Sequence, residues 1–188
     1  MGREDRPTDD QYYELTFRGD LFSQGDLFAE VPRTYAALAE EVTVEGSEGG
    51  RRFLSGPLEP GFAVLLTPSC SMGGACGRYS HSIRTLAPLI PVQALLESEV
   101  LNPEQLNAAK RHDGLINYMF MPGHVPSEMP HSLMLLYMPF TIEHKLLMRT
   151  SRRVAQLTQT GMQQLQRKLV WFWSGFQLDR AWLQPPLD

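Results

Sequence analysis

The chain has 188 residues, of which 43% are hydrophobic and 20% charged, a mixture that fits one compact domain with a terminal extension and excludes a fibrous or wholly disordered class. Its net charge of −4 and pI of about 5.7 supply no global positive field to gather nucleic acid or an anionic membrane. Two cysteines, Cys70 and Cys76, are too few for a disulfide framework, and no apolar run approaches the roughly 20 residues of a membrane helix, so a cytoplasmic protein with no membrane partner is expected.

In chain order, residues 1–15 combine Arg3, Glu4, Asp5, Arg6, Asp9 and Asp10 and read as a mobile leader to a single globular domain over 16–176, with a tail at 177–188. GDLFAEVP reads as a first strand: Gly25 supplies a turn, Leu27, Ala29 and Val31 alternate with Phe28 and Glu30, and Pro32 ends it. Residues 34–44 have helical spacing at Tyr35, Leu38 and Val42 but a β-prone VTV end, which favours a strand there, and EGSEGG at 45–50 is a turn.

The centre of the sequence is FAVLLTPSCSMGGACGRYSHSIRTLAPLIP, residues 62–91. Two apolar runs, Phe62 to Leu66 and Ile83 to Ile90, enclose a polar, glycine-rich tip, the pattern of a buried strand pair with a decorated loop. Pro91 opens a short helical pattern through Val92, Leu95, Leu96 and Val100, and Asn102 with Pro103 caps a second. LINYMFM at 115–121 reads as a strand, the proline-rich 122–131 as a loop, and Leu133 to Met138 and Arg152 to Leu157 as further strands. Thr158 or Thr160 caps a helix to about Gly175. In it Met162, Leu165, Leu169, Phe172, Trp173 and Phe176 form an apolar stripe, and Gln163, Gln166, Arg167 and Lys168 fall away from it.

Candidate chemistry gathers at the central tip. Cys70, Cys76 and His81 carry metal-ligand atoms, but C-x5-C-x4-H lacks the tight two-residue gap of a zinc turn and needs a fourth ligand from His112, His124, His131 or Asp113; no metal or other cofactor is therefore expected. Cys70 with His81 or His112 as base has the residue types of a thiol nucleophile, without the flanking pattern of one. Arg84 interrupts an apolar strand, where a guanidinium must snorkel, pair with a carboxylate such as Asp113 or Glu30, or face a site. Arg84, His81 and Cys70 are accordingly the candidate catalytic residues. Arg149, Arg152, Arg153, Arg167 and Lys168 form the basic concentration, a local patch open to nucleic acid or an acidic partner, although five charges along a solvated face need no special purpose.

GDLFAEVP, PGFAVLLTPSC and SIRTLAPLIP, over about residues 25–91, resemble the opening of the MazF/PemK-type toxin family. The resemblance implies an SH3-like barrel and, in catalytic members, RNA cleavage. The family's arginine before its second strand falls at Pro60 and Gly61 here, and its later serine or threonine falls near Pro91 and Val92, so neither catalytic residue carries over.

These readings lead to an α+β fold, a small antiparallel SH3-like or barrel-like sheet with inserted helices and a C-terminal amphipathic helix. The expected function is that of a non-catalytic interaction or regulatory module, toxin-like or defence-associated, whose partner is another protein. The alternative is a hydrolase or endoribonuclease with its site around Cys70, His81 and Arg84.

Overall fold

The structure is a computed structural model that describes residues 12–17, 22–34, 43–46, 52–55, 58–68, 82–111 and 115–175, with the backbone alone for 34, 43–46, 52–55, 58 and 59. The described residues form an α+β fold of ten strands and four helices. The strands are β1 (Tyr13–Glu14), β2 (Asp26–Thr34), β3 (Thr43–Gly46), β4 (Arg52–Ser55), β5 (Leu58–Leu65), β6 (Ile83–Pro91), β7 (Tyr118–Met121), β8 (Ser132–Leu135), β9 (Phe140–Glu143) and β10 (Arg152–Leu157). The helices are α1 (Val92–Glu97), α2 (Pro103–Ala109), α3 (His144–Thr150) and α4 (Gln159–Ser174).

Eight strands make one antiparallel sheet in the order β1-β10-β2-β5-β6-β8-β7, with β9 also paired to β6, while β3 and β4 form a separate hairpin. The central pair is the expected one: Ala63, Val64 and Leu65 of β5 lie opposite Pro88, Ala87 and Leu86 of β6. All three β5 residues are fully buried, which is why both faces of that strand are apolar in the sequence.

β2 departs from its simple alternation. Its pairing with β5 slips between Phe28 and Val31, and Glu30 within that interval has a left-handed φ of 60°. The extra residue shifts the phase of the side chains, so Leu27 and Ala29 join one core cluster and Val31 joins Phe28 in another. Pro32 does not end the strand; it lies opposite Pro60, and β2 runs on to Thr34. A second slip, between Arg153 and Ala155, interrupts β10. Both irregularities fall in the β10-β2-β5 part of the sheet, and a bulge increases the local twist.

The core has three clusters. The first takes side chains from β1, β2, β5, β6, β7, β8 and β10 and is covered by α4, whose Leu165 is fully buried with Met162, Leu169 and Phe172 against the same cluster. The second gathers Phe28, Ala63, Leu65, Leu86 and Ile142 under Leu147 of α3. The third packs α1 and α2 on β7 and β8 through Leu95, Leu101, Ala109, Leu133 and Leu135. Met119, Met121, Met129 and Met134 are buried in the first cluster, as gap-filling thioethers.

The sequence-based helix boundaries hold where caps specify them. Asn102 accepts from Gln105 N while the Gln105 side chain accepts from Asn102 N, a complete capping box in front of Pro103. Thr158 caps α4 through Gly161 N, and Gly175 ends it with φ 70°. Two stripe assignments change: Trp173 is 70% exposed, and Lys168, expected on the outer face, is buried against the Trp171 ring. Phe176 lies outside the described residues.

Residues 12–14, read from sequence as part of the leader, belong to the fold. Tyr12 and Tyr13 are core residues, and Tyr13 and Glu14 pair with Leu157 and Gln156. The sheet is open, in that no ladder joins β1 to β7 among the described residues. Its ends nevertheless meet, because the Tyr13 hydroxyl donates to the Pro122 carbonyl at 2.8 Å. Six strand-to-strand steps of about 4.8 Å would hold flat edges roughly 29 Å apart, so the sheet curls strongly on itself.

Candidate functional site

Of the three candidate catalytic residues, the structure describes Arg84; Cys70 and His81 lie outside the described residues, as do Cys76, His112 and Asp113. Arg84 stands in β6 on the same face as Leu86, opposite Ile142 of β9, at the point where the chain enters the central strand from the tip. It is fully buried, and its Nη1 donates to the carbonyl of Ile83 at 3.1 Å.

His144 is the neighbouring titratable group. It starts α3, its backbone N–H donates to Ser82 O at 2.6 Å, and its ring lies 5.2 Å from that of Phe22. Burial, and then the positive charge of Arg84, lower the His144 pKa, so this imidazole is neutral at neutral pH. Sequence spacing gave no hint of this pairing, since 60 residues separate the two. Glu30, one carboxylate considered for Arg84, stands exposed at the β2 bulge.

A second buried polar group lies on the same sheet face as Phe28. Asp26 Oδ1 accepts from Arg153 Nη2 at 2.8 Å, and Asp26 Oδ2 accepts from the backbone of Ser23 at 2.7 Å. The Arg153 guanidinium also rests 4.1 Å from the Phe17 ring centroid. Asp26 is fully buried, and loss of hydration outweighs both hydrogen bonds, so its pKa rises to about 6.

This arrangement corrects the expected basic concentration. Arg153 is held by Asp26 and Lys168 is buried, which leaves Arg149 and Arg152 exposed on the far end of α3 and the start of β10. Five cations in sequence proximity therefore do not make one solvated basic face.

Arg33 is a residue that sequence reasoning missed. It belongs to β2, is 8% exposed, donates from Nη1 to Leu89 O at 3.2 Å, and lays its guanidinium over Gly61. A side chain at position 61 would occupy the same space as that guanidinium.

The seam between the sheet ends holds the remaining cluster. His124 Nδ1 and Ser127 Oγ are 2.8 Å apart, and Ser127 Oγ donates to His124 O at 3.2 Å, closing the short turn Val125–Ser127. The His124 ring lies 4.9 Å from the Tyr13 ring, and burial lowers its pKa. Close by, His131 Nδ1 accepts from Gly123 N at 2.8 Å and its ring stacks on Phe120. The proline- and histidine-rich composition of 122–131 marked a loop, but its role in joining the sheet ends depends on a residue 109 positions away.

Among the described residues no three His, Cys, Asp or Glu side chains gather as a metal site, and no helix is long and apolar enough to cross a membrane. No protein-family model, curated protein or solved structure matches the chain. The functional reading therefore rests on the geometry of these side chains.

Proposed function

We propose that this protein is a non-catalytic interaction or regulatory module, toxin-like or defence-associated, that acts on another protein in the cytoplasm. The observation that carries this reading is the complete burial of Arg84. A guanidinium that stabilises developing charge must reach the reacting group, and this one has no solvent-exposed surface. Arg33 is likewise buried and engaged with a backbone carbonyl.

Exposed apolar side chains support the interaction reading. Trp173 is 70% exposed and Val170, one turn earlier on α4, is 41% exposed. Large aromatics in such positions are enriched at protein interfaces. The SH3-like or barrel-like architecture belongs to the same proposal and is supported by the curled sheet whose ends meet at Tyr13 and Pro122.

The alternative is a hydrolase or endoribonuclease with its site around Cys70, His81 and Arg84; one observation speaks for it, the Arg33 guanidinium that lies over Gly61, the sequence position to which the resemblance assigns an arginine. Incubation of the purified protein with RNA and with DNA separates the readings. Wild type leaves both intact under the interaction reading; cleavage that disappears in Arg33→Ala or Arg84→Ala, with the fold retained by circular dichroism, overturns it. A photo-crosslinker placed at Trp173 captures a defined protein partner in cells, whereas one at the exposed Gln166 does not.

A further inference from the structure

Two histidines stand in the loop between β7 and β8, and their δ nitrogens face opposite kinds of partner. His131 Nδ1 accepts the backbone N–H of Gly123 at 2.8 Å. A nitrogen that accepts carries no proton, so neutral His131 holds its hydrogen on Nε2. His124 Nδ1 lies 2.8 Å from Ser127 Oγ, whose own hydrogen goes to His124 O. There the ring nitrogen is the donor, and neutral His124 holds its hydrogen on Nδ1.

We propose that the Gly123–His131 bond is a proton-operated latch on the 122–131 loop: it is closed while His131 is neutral and open when His131 is charged.

Imidazolium carries a hydrogen on both nitrogens and keeps no acceptor, so protonation sets Nδ1–H of His131 against Gly123 N–H, donor against donor. A second proton on His124 goes to Nε2 and leaves its Nδ1 bond to Ser127 in place, so His131 is the histidine whose charging breaks a bond in this loop. His131 is exposed, and protons reach it from solvent directly.

The backbone holds its place around the latch. His124 and Met129 exchange two backbone hydrogen bonds, and a Cβ on Gly123 would lie 3.3 Å from both Met129 O and His131 N. The ring is therefore the part that moves. Phe120, on which it stacks at 22° with 5.8 Å between centroids, attracts a charged ring, so the imidazolium turns away from Gly123 and stays on Phe120. Gly123 stands between Pro122, which accepts from Tyr13, and His124, which packs on Tyr13, so the freed N–H lies at the seam where the sheet ends meet.

The charged groups on the surrounding elements are Lys110 of α2, 5.5 Å from the Phe120 centroid, with Arg111 beside it, and the exposed Glu128 of the loop. α1, tied to His131 O through Val92 N at 2.9 Å, carries Glu97, which accepts from Gln93. The Gly123 N–H is bonded to His131 Nδ1 and not to any of these carboxylates.

NMR on the full chain tests the latch over about pH 8 to 5, the range in which histidines change charge. Ring nitrogen shifts should place the hydrogen of neutral His131 on Nε2. As the His131 ring titrates, the Gly123 amide should lose about twofold to tenfold of its exchange protection, corrected for the intrinsic effect of pH, because one net hydrogen bond is lost. His131→Asn offers a side-chain oxygen in place of Nδ1 and does not titrate, so its Gly123 amide should stay protected throughout. His131→Phe keeps the stack without the acceptor, and its Gly123 amide should be as poorly protected at the alkaline end of the range as that of wild type at the acid end. A hydrogen on Nδ1 of neutral His131, Gly123 protection that follows the His124 ring, or a Gly123 amide unchanged across the wild-type titration overturns the proposal, as does a His131→Asn profile that matches wild type.

Discussion

Tyr13 and Pro122 are 109 residues apart in sequence, yet a 2.8 Å hydrogen bond between the Tyr13 hydroxyl and the Pro122 carbonyl joins the two ends of the sheet. Tyr13→Phe keeps the ring and removes this bond, leaving a buried carbonyl without its donor. Its unfolding free energy in urea should fall by about 1 kcal/mol, the usual net worth of a buried hydrogen bond. An unchanged midpoint would mean that water replaces the hydroxyl without cost.

The adjacent tyrosine should behave in the opposite way. Tyr12 buries a hydroxyl that has no partner among the described residues, and burial alone pushes its pKa upward. Tyr12→Phe therefore removes a desolvation cost and should leave stability unchanged or raise it by up to about 1 kcal/mol. A clear loss in the same urea experiment would show that the hydroxyl is satisfied.

Gly61→Ala should destabilise the protein, because the new methyl group meets the Arg33 guanidinium. Arg33 is buried and bonded to Leu89 O, so its displacement breaks that bond as well as the packing; a cost of about 1–3 kcal/mol is expected. In the double-mutant cycle Arg33→Ala should relieve part of the Gly61→Ala penalty, giving a coupling of at least 0.5 kcal/mol on the order usual for contacting residues. Strict additivity would separate the two sites.

Acid should act on this fold through opposed groups. His124 and His144 have pKa values lowered from 6.5 in the folded state, so the unfolded chain takes up their protons first and stability is lost as pH falls below about 6.5. Asp26 works in the other direction: with a folded pKa of about 6 against an ordinary 3.8, it adds stability as pH falls through 6 toward 3.8. Stability curves against pH should therefore fall more steeply on the acid side for Asp26→Asn than for wild type, and less steeply for His124→Gln. Parallel curves would remove either group from the account.

Glu30 carries a side chain at a left-handed φ of 60° in the β2 bulge. Such a conformation costs a residue with a Cβ about 1–2 kcal/mol, partly offset in glycine by its greater loss of freedom on folding. Glu30→Gly should thus raise the thermal midpoint slightly, and Glu30→Val, β-branched at the same angle, should lower it.

How much of this was legible in the sequence differs by element. The β5 and β6 pair was readable because its paired residues, Ala63 to Leu65 and Leu86 to Pro88, are buried on both faces and stand in apolar stretches of sequence. The caps at Asn102 and Thr158 were readable because a cap is a contact across three residues. β1 was hidden by length: two paired residues carry no period, and the surrounding charge reads as a leader. Val31 was placed on the wrong face because alternation assumes one residue per position, and the Glu30 bulge breaks that count. Trp173 and Lys168 exchanged their expected environments because helical spacing gives the direction of a side chain and not the width of the surface it meets.

The candidate site divides along the same line. That Arg84 is anomalous follows from sequence alone, since a charge inside an apolar strand demands a reason. That it is buried beside His144, that Asp26 and Arg153 meet, and that Arg33 reaches over Gly61 are long-range facts decided by strand order. By itself the sequence determined the local elements, whose hydrophobic period and caps act within a few residues. The tertiary structure alone decided the curl of the sheet and the meeting of Tyr13 with Pro122 and His124, because register shifts and strand order accumulate over the whole chain and leave no signal in any short window.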